Sequence, residues 1–489
     1  MPPERIDIAP GLNISRVITG LWQVADQERQ AGALDRDKAS DALLAYIDGG
    51  FDTFDMADHY GSAELIAGTA RARQLASTPE MPGLYFTKWC PEPHQCTREA
   101  VRAGIGERAE RLQVERIDLL QLHWWSFHYP GYLDVMDELD RMREEGRIAH
   151  VGVTNFDTDH LHVLLSEGYG IVSNQVSASL IDRRAFGDMT ELCLKHNVKL
   201  LAYGTLAGGF LSERWLGRPE PDEIADWSKM KYKRFIDAAG GWRAFQALLA
   251  ALDGIARRHG ISIANIATRW VLDQPAVGAV IIGARITERD HREGNSALFS
   301  FQLDDEDRAL IDEATDGLEP IPGDCGSEYR KPPFLTASGD LSDHLDSLPK
   351  LYERVAVPGR SDRWRIGSGS EWEPVCGFSR GLRQGNRILI SGTTATHGAG
   401  RAVCAGDVRG QTVYILDKIA ASIASLGGSL EDVVRTRIYM RDCSRWEEAS
   451  RVHGRYLGDV LPANTLIEIS DLVGDYDVEI EAEAIVAEA

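Results

Sequence analysis

Three short apolar segments that each end in an ionisable residue constrain the fold of this chain more than any other feature. The segments 51–55, 84–88 and 117–123 have the composition of buried β-strands. Their last residues are Asp55, Lys88 and His123. A parallel β/α barrel carries its reactive groups at the carboxyl ends of its strands. One such residue alone is usually structural, but the ordered set predicts a (β/α)8 TIM barrel with a site at that rim.

The rest of the first two-thirds of the chain alternates apolar strands with amphipathic helices, as parallel β/α units do. The predicted strands lie near 17–20, 51–55, 84–88, 117–122, 148–153, 171–176, 199–203 and 277–282. No G-x-G-x-x-G motif follows the first of them, which argues against a Rossmann domain. We therefore expect a barrel rather than an open sheet.

Tyr60 lies in the run D-M-A-D-H-Y-G at 55–61 and is a candidate catalytic residue for this rim. A free phenol has a pKa of about 10, so it is a weak acid at neutral pH. An ammonium group such as that of Lys88, kept charged by a carboxylate, lowers the pKa of a neighbouring phenol. The pattern thus predicts a proton donor for a carbonyl oxygen that receives a hydride.

Several motifs carry a resemblance to the aldo-keto reductase family over about residues 1–320. They are D-M-A-D-H-Y-G at 55–61, F-T-K-W at 86–89, L-L-Q-L-H-W at 119–124, G-V-T-N-F at 152–156, N-Q-V at 174–176, A-Y-G-T-L at 202–206 and I-I-G-A-R at 281–285. The resemblance implies a catalytic set of Asp55, Tyr60, Lys88 and His123. It also implies that Thr154, Asn155 and Gln175 bind a nicotinamide carboxamide, and that Tyr203 stacks on the nicotinamide ring.

The same resemblance implies an NAD(P)H cofactor extended across the barrel mouth. The remaining cofactor residues that we predict are Gly20, Trp22, Gly204, Leu206, Gly208, Gly283, Arg285, Arg289 and Asn295. Guanidinium groups suit the 2′-phosphate of NADPH. Arg285, Arg289 and Arg292 follow the last strand, so we expect NADPH rather than NADH. Trp22, Trp89 and Trp124, with Trp125, are expected to line an apolar substrate pocket or to belong to the core.

Length and charge limit the classes of function. The 489 residues are enough for two or three domains. A formal charge of −22 argues against nucleic acid, which needs a basic surface, and against anionic membranes. The first 20 residues lack a secretory signal, and no apolar run is long enough to span a bilayer. Seven scattered cysteines without a C-x-x-C pair favour a reducing cytoplasm and predict no metal site.

Three regions follow or interrupt the barrel pattern. An insertion from 208 to 242 either folds over the cofactor and the pocket or is a packed surface excursion. Residues 321–358 are rich in Pro and Gly and predict a linker, with a short helix at 341–354. A strand, helix, strand, helix, strand, strand pattern in 359–489 predicts a small α+β domain. The predicted domains are therefore 1–320, the linker 321–358, and 359–489.

The last third resembles the RidA (YjgF/YER057c/UK114) family, whose fold is chorismate-mutase-like. The matching pieces are L-I-S-G at 389–392, S-L-G-G at 425–428, T-R-I-Y-M-R-D at 436–442 and V-E-I-E-A at 478–482. The resemblance implies a homotrimer with ligand clefts between subunits. Imine deaminases of this family carry arginine where this chain has Asn464, fifteen residues before Glu479. An amide cannot replace a guanidinium that binds a carboxylate, so we expect little 2-imino-acid deamination.

Three functions follow from these features. The first is an NADPH-dependent oxidoreductase that interconverts a small-molecule carbonyl and an alcohol, with a C-terminal module for oligomerisation or ligand binding. The second is a bifunctional enzyme that also hydrolyses enamines or imines. The third is a cofactor-bound metabolite sensor, which the complete catalytic set disfavours.

Overall fold

The computed structural model describes residues 2–24, 34–78, 83–224, 227–330 and 348–487. They form two compact units. One comprises 1–125, 135–158 and 170–345, and the other comprises 126–134, 159–169 and 346–489. In these described ranges, no helix has the length and apolarity needed to cross a bilayer.

A closed parallel barrel of eight strands forms the first unit, as the sequence predicted. The barrel strands are β3 (Val17–Gly20), β4 (Thr53–Asp55), β5 (Leu84–Trp89), β6 (Ile117–His123), β7 (Ile148–Thr154), β8 (Ile171–Ser177), β9 (Lys199–Tyr203) and β10 (Val277–Gly283). Their order in space follows the chain, and β10 closes the barrel on β3. The strands are rich in β-branched and aliphatic residues because both of their faces are buried.

Helices connect these strands and follow the last of them. They are α1 (Arg36–Asp48), α2 (Ala63–Ser77), α3 (Arg98–Leu112), α4 (Tyr132–Glu144), α5 (Thr158–Ser166), α6 (Asp188–His196), α7 (Trp227–Ala238), α8 (Gly241–His259), α9 (Ile263–Leu272), α10 (Arg292–Ala297) and α11 (Asp305–Asp316). Side-chain caps start several of them: Asp35 accepts hydrogen bonds from the first turn of α1, Thr97 does so for α3 and Ser262 for α9. Such caps fix where a helix begins after its loop.

An N-terminal hairpin supplies part of the barrel core. Its strands are β1 (Arg5–Ala9) and β2 (Leu12–Ser15), which pair antiparallel. Ile8, Leu12 and Ile14 of this hairpin join Phe86 and Leu119 in one buried cluster. The interior is therefore apolar at the level of Leu119, whereas Gln121 and His123 on the same face of β6 lie nearer the carboxyl rim.

The second unit is built on a seven-stranded sheet. Its strands are β11 (Val355–Ala356), β12 (Arg363–Ile366), β13 (Gly381–Gln384), β14 (Arg387–Thr393), β17 (Val433–Met440), β18 (Ala463–Glu468) and β19 (Val478–Ile485); β15 (Thr396–His397) and β16 (Arg401–Ala402) form a separate pair, and the helices are α12 (Trp372–Cys376), α13 (Val408–Ser425) and α14 (Trp446–Leu457). The sheet order is β11-β12-β13-β14-β19-β17-β18. This smaller α+β fold is the one that the sequence predicted.

One face of this sheet is covered and the other is partly open. Along β19, Val478, Ile480, Ala482 and Ala484 are buried, while the alternating glutamates are only half-buried. Nearly every residue of α13 is buried. The edge strand β18 is largely exposed.

Several parts of the structure differ from the sequence expectations. The hairpin β1–β2 and the short strands β11 to β13 were not predicted. The insertion after β9 contains α7, whose Tyr232 hydroxyl lies where a side chain on Gly204 would be. The predicted helix at 341–354 lies partly outside the described residues, and 348–354 form no helix. The expected domain boundaries stay a prediction.

Candidate active site

The register of the barrel places the predicted site residues on adjacent strand ends. Gly20 pairs with both Gly283 and Asp55 across β3, β10 and β4. On the far side, Thr154 pairs with both His123 and Gln175. A methyl group on Gly20 would come within 2.8 Å of Ile281, so this close strand contact requires glycine.

A buried ion pair lies at the centre of this rim. Lys88 Nζ donates to Asp55 Oδ2 at 2.6 Å and to the Met56 carbonyl at 3.0 Å. The other carboxylate oxygen of Asp55 accepts hydrogen bonds from Gln121 Nε2 at 3.0 Å and Gln175 Nε2 at 2.7 Å. Both charged side chains are only 4% exposed. Buried charges are tolerated when they are paired and hydrogen-bonded in this way.

Tyr60 is half-buried beside this ion pair. Lys88 Nζ lies 5.1 Å from the centroid of its ring, and the Trp22 indole lies 4.8 Å away on another side. Burial raises the pKa of Tyr60 well above 10, and the Asp55 carboxylate raises it further. This net rise in the pKa is opposite to the lowering that the sequence predicted, because burial disfavours the charged phenolate. Tyr60 carries its proton at neutral pH.

His123 is buried and neutral. Burial lowers its pKa well below 6.5, and the nearby Arg330 guanidinium lowers it further. Its Nε2 lies 3.4 Å from the Asn155 amide nitrogen, and its Nδ1 lies 3.4 Å from Cys90 Sγ. The indole of Trp125 lies 4.1 Å from the imidazole. A neutral imidazole can donate a hydrogen bond that orients a carbonyl oxygen, and it adds no positive charge to the site.

The residues expected at a nicotinamide are brought together, but they already hydrogen-bond one another. The Tyr203 hydroxyl donates to Asn155 Oδ1 at 2.7 Å, and the Thr154 hydroxyl donates to the Gln175 carbonyl at 3.0 Å. Gln175 Nε2 is engaged by Asp55 and by Gln121. Asn155 has a positive φ of 56°, which Asn tolerates better than most residues. An amide has two N–H donors and an oxygen with two lone pairs, so these bonds do not use the full hydrogen-bonding capacity of Asn155.

The turn after β9 fits a dinucleotide phosphate. Gly204, Ala207, Gly208 and Gly209 all have positive φ, with Leu206 between them. A side chain on Gly209 would meet nothing within 4 Å, so its backbone borders open space. Such a turn can present backbone N–H groups to an anion.

Further residues that were predicted to bind the dinucleotide follow β10. Gly283, Arg285 and Arg289 are exposed, and Asn295 is buried in α10. Arg292 is committed elsewhere, because it donates to the Asp290 carboxylate and to the Ala45 carbonyl. Arg285 and Arg289 therefore stay the predicted phosphate ligands.

The tryptophans divide between the site and the core. Side chains alternate along a strand, so Trp89 points out of the barrel because Lys88, the residue before it, points in. Its indole packs against Gly104 of α3, where an added methyl group would lie only 2.6 Å from it. Trp89 therefore does not line the site, contrary to expectation. Trp124 is fully buried. Trp22 and Trp125 are the indoles beside Tyr60 and His123.

Three functional candidates escaped the sequence reasoning. Glu328 and Tyr329, from the segment after α11, and Lys231, from α7, lie around the Tyr203 hydroxyl and ring. Loop residues carry no periodicity that would have placed them here. Gln121 did leave a signal, since it is a polar residue at an inward position of an apolar strand.

Asp58, His59 and Cys90 bring ligand-type atoms within 4.8 Å of one another. The Asp58 carboxylate already accepts hydrogen bonds from His59 Nδ1 at 2.8 Å and from the Cys90 backbone at 2.8 Å. These contacts account for the cluster without a metal ion.

Comparison with known proteins identifies the first unit. The family model described as the aldo/keto reductase family matches residues 16–316, more than half of the chain. The chain belongs to the aldo/keto reductase family. A second family model, Endoribonuclease L-PSP, matches residues 369–486, so the C-terminal part is RidA-like as predicted.

Individual relatives cover different parts of the chain. Flagellar radial spoke protein 5 of Chlamydomonas reinhardtii is 34% identical over 32% of this chain, which spans only 34% of that protein. NADH-specific methylglyoxal reductase of Escherichia coli is 25% identical over 63% of this chain and 97% of its own length. The solved glycerol dehydrogenase AKR11B4 of Gluconobacter oxydans is 27% identical, with a TM-score of 0.55 over 66% of this chain and 98% of its own.

In the RidA-like unit, Asn464 is engaged by its neighbours. Its Nδ2 donates to the Thr436 hydroxyl at 2.9 Å, which in turn lies 2.9 Å from His453 Nε2. The pKa of Glu479 is raised by burial, and the charge of Arg380 offsets part of this rise. The amide of Asn464 therefore has a structural partner within its own subunit.

The state of His123 predicts a pH dependence of stability. Its pKa is lower in the folded protein than the value of about 6.5 expected in the unfolded chain. The contribution of neutral His123 to the stability of the folded protein is thus complete above pH 6.5. It is lost as the pH falls toward the folded pKa, because the unfolded state takes up the proton first. We expect His123→Gln to flatten the decline of unfolding free energy between pH 7 and 5 in urea titrations. His94→Gln, at a residue whose side chain is 63% exposed, should leave that slope unchanged. An unchanged slope in His123→Gln would contradict a buried, neutral His123.

Proposed function

We propose that this protein is an NADPH-dependent oxidoreductase that interconverts a carbonyl compound and an alcohol. The observation that carries the proposal is the buried pair of Lys88 and Asp55 beneath a protonated Tyr60, with neutral His123 on the neighbouring strand. Membership of the aldo/keto reductase family supports the same reaction class.

Each group has a distinct task in this reaction. A bound nicotinamide cofactor supplies or accepts the hydride. Tyr60 gives its proton to the carbonyl oxygen, and Lys88 offsets the phenolate charge that remains. Asp55 keeps Lys88 charged and aimed. His123 orients the carbonyl oxygen by a hydrogen bond, which its neutral form can donate.

Removal of the Tyr60 hydroxyl tests this proposal. Tyr60→Phe should reduce turnover of an aldehyde with NADPH by about 10²–10⁴-fold, the usual worth of a general acid. NADPH affinity, followed by fluorescence titration, should stay the same, because the ring remains. Tyr85→Phe is the matched control, since the Tyr85 hydroxyl is buried without a hydrogen-bond partner among the described residues. Turnover like that of the wild type in Tyr60→Phe would refute the assignment.

The preference for NADPH rests on Arg285, with Arg289 as a second cation. Arg285 is 47% exposed and makes a loose ion pair with Glu288 at 3.6 Å. One relative is named as NADH-specific, so the choice of cofactor needs its own test.

Arg285→Ala should weaken NADPH binding by about tenfold or more, because a charge-assisted hydrogen bond contributes about 1.5–3 kcal/mol. The dissociation constant for NADH should change little, because NADH lacks the 2′-phosphate. NADH binding to the same variant is therefore the control for NADPH binding. Equal losses for both cofactors would show that Arg285 does not bind the 2′-phosphate.

The substrate is proposed to be a small carbonyl compound. The rim is lined by Trp22, Tyr60, Tyr203 and Tyr329, which are all partly exposed. The relatives named above are described as acting on methylglyoxal and on glycerol. Both molecules carry oxygen on adjacent carbons.

The RidA-like unit is proposed to assemble three copies of the chain. The partly open face of its sheet carries Arg437, Tyr439, Glu481 and Ile467, and the Ile467 side chain is exposed. A heterologous interface repeated around a closed threefold cycle would cover such a face. Deamination of imines draws no support from Asn464, whose amide donates to Thr436. A cytoplasmic location is proposed as well, because scattered cysteines without a paired motif are typical of a reducing compartment.

Light scattering tests the trimer on the full chain. The wild type should have three times the mass of the 54.0 kDa chain. Ile467→Asp should lower this mass by placing an unpaired carboxylate in the interface. Val473→Asp, at a residue that is 95% exposed, should not. A wild-type mass of one or two chains would exclude the trimer.

A further inference from the structure

The segment after α11 enters the active site along a path fixed by its own contacts. Arg330 donates to the Asn155 carbonyl at 2.7 Å and to the Trp124 carbonyl at 2.6 Å. Gly326 has a φ of 78°, and its Cα lies so close to the Asn155 carbonyl that a side chain there would clash. These contacts place Tyr329 over the rim of the barrel.

Tyr329 lies next to the predicted catalytic groups. Its ring is 5.4 Å from the His123 imidazole, at 86°, and 5.7 Å from the Trp125 indole, at 73°. Tyr329 also contributes to the raised pKa of Tyr60, as a nearby group that disfavours the phenolate. Tyr329 is only partly buried, so part of it is accessible to a ligand.

A buried ammonium group stands behind the Tyr329 hydroxyl. Lys231 Nζ donates to this hydroxyl at 3.1 Å and lies 4.7 Å from the centroid of the ring. The Glu328 carboxylate lies 3.6 Å from Lys231 Nζ and 3.0 Å from Arg184. Lys231 is 8% exposed and Glu328 is fully buried. A phenol, an ammonium and a carboxylate thus occur twice in one pocket, as Tyr60, Lys88 and Asp55, and as Tyr329, Lys231 and Glu328.

The Tyr329 hydroxyl can donate its proton to the Tyr203 oxygen, but only through a long contact that a ligand oxygen can replace. Lys231 donates to the phenol oxygen, so that oxygen is an acceptor there. The neighbouring Tyr203 hydroxyl gives its proton to Asn155 Oδ1 at 2.7 Å. The contact between the two hydroxyls is 3.3 Å, which is long for O–H···O, where about 2.7–2.8 Å is usual. A ligand oxygen at a better distance would take this proton.

We infer that Tyr329, with Lys231 behind it, binds a second oxygen of the substrate, next to the carbonyl that Tyr60 protonates. The inference rests on the proposed carbonyl reduction and defines its substrate class. The favoured substrates are small carbonyl compounds with a hydroxyl or oxo group on the adjacent carbon. Tyr329 is a specificity residue, and Lys231 is a positioning residue that polarises its hydroxyl.

Steady-state kinetics with two three-carbon aldehydes test the inference. Glyceraldehyde carries the adjacent hydroxyl and propanal lacks it. Tyr329→Phe should lower kcat/KM for glyceraldehyde about tenfold, mainly through KM, because one uncharged hydrogen bond is lost. Propanal should change by less than about twofold, since the ring remains. Lys231→Met should show the same selectivity. Equal changes for both aldehydes, or none, would overturn the inference.

Tyr232→Phe is the matched control. This ring also lies near Lys231, at 5.4 Å, but Tyr232 is only 6% exposed. It should show no selective loss for glyceraldehyde.

A binding measurement separates failure of this inference from failure of the proposed reaction. Trp125 lies 5.7 Å from Tyr329, so tryptophan fluorescence can report ligand binding without cofactor or turnover. Glycerol should bind more tightly than 1-propanol to the wild type, and Tyr329→Phe should remove that difference. A wild type with no preference for glycerol would refute the inference, whatever the barrel reduces. A preference without any aldehyde reduction would refute only the proposed reaction.

Discussion

The ion pair between Lys88 and Asp55 is the interaction on which the active rim depends. Two opposite charges, each only 4% exposed, lie 2.6 Å apart. Desolvation of such a pair costs as much as its attraction returns unless further hydrogen bonds satisfy the remaining oxygens and protons. Here they come from Gln121, Gln175 and the Met56 carbonyl. The pair therefore ties together the ends of four strands, and a shift of any one of them would leave a buried charge without partners. Loss of one member of such a pair typically costs about 3–5 kcal/mol.

The same low-polarity surroundings set the protonation of the other catalytic groups. Along the inward face of β6 the chain runs from Leu119, in the apolar core, through Gln121 to His123 at the rim. Burial at this depth disfavours any charge that lacks a partner. It raises the pKa of Tyr60 and lowers that of His123, so both groups are neutral at pH 7. The rim thus contains one ion pair, Lys88 with Asp55, and two neutral groups that can donate hydrogen bonds, Tyr60 and His123. That arrangement suits a reaction in which negative charge develops on a carbonyl oxygen.

The sequence predicted the barrel, and the proposed catalytic residues lie close together in the structure, because both features depend on strand ends. A strand that is buried on both faces is a short apolar run, and the polar residue that ends it marks the rim. Trp89 was misplaced because alternation along β5 turns it away from Lys88. The pKa of Tyr60 was misjudged because sequence shows a neighbouring cation but not the depth of burial. Tyr329 could not be found, since the path of a loop depends on contacts such as that between Gly326 and Asn155. Lys231 could not be found either, because the pattern of α7 does not indicate where this helix packs.

The second compact unit includes residues from both parts of the sequence, and this affects how truncated chains behave. Residues 159–169 belong to this unit although they lie within the barrel sequence. There the Asp159 carboxylate accepts hydrogen bonds from Arg409 and Arg455, at 2.8 and 2.6 Å. His160 also pairs with Asp417 at 2.8 Å, and both side chains are 5% exposed.

A chain cut between 331 and 347 would leave Asp159 and His160 without these partners. An unpaired buried charge is strongly destabilising. Loss of activity in such a fragment would therefore report on folding rather than on catalysis. Single substitutions in the full chain are free of this ambiguity, because they keep every ion pair of α5 in place.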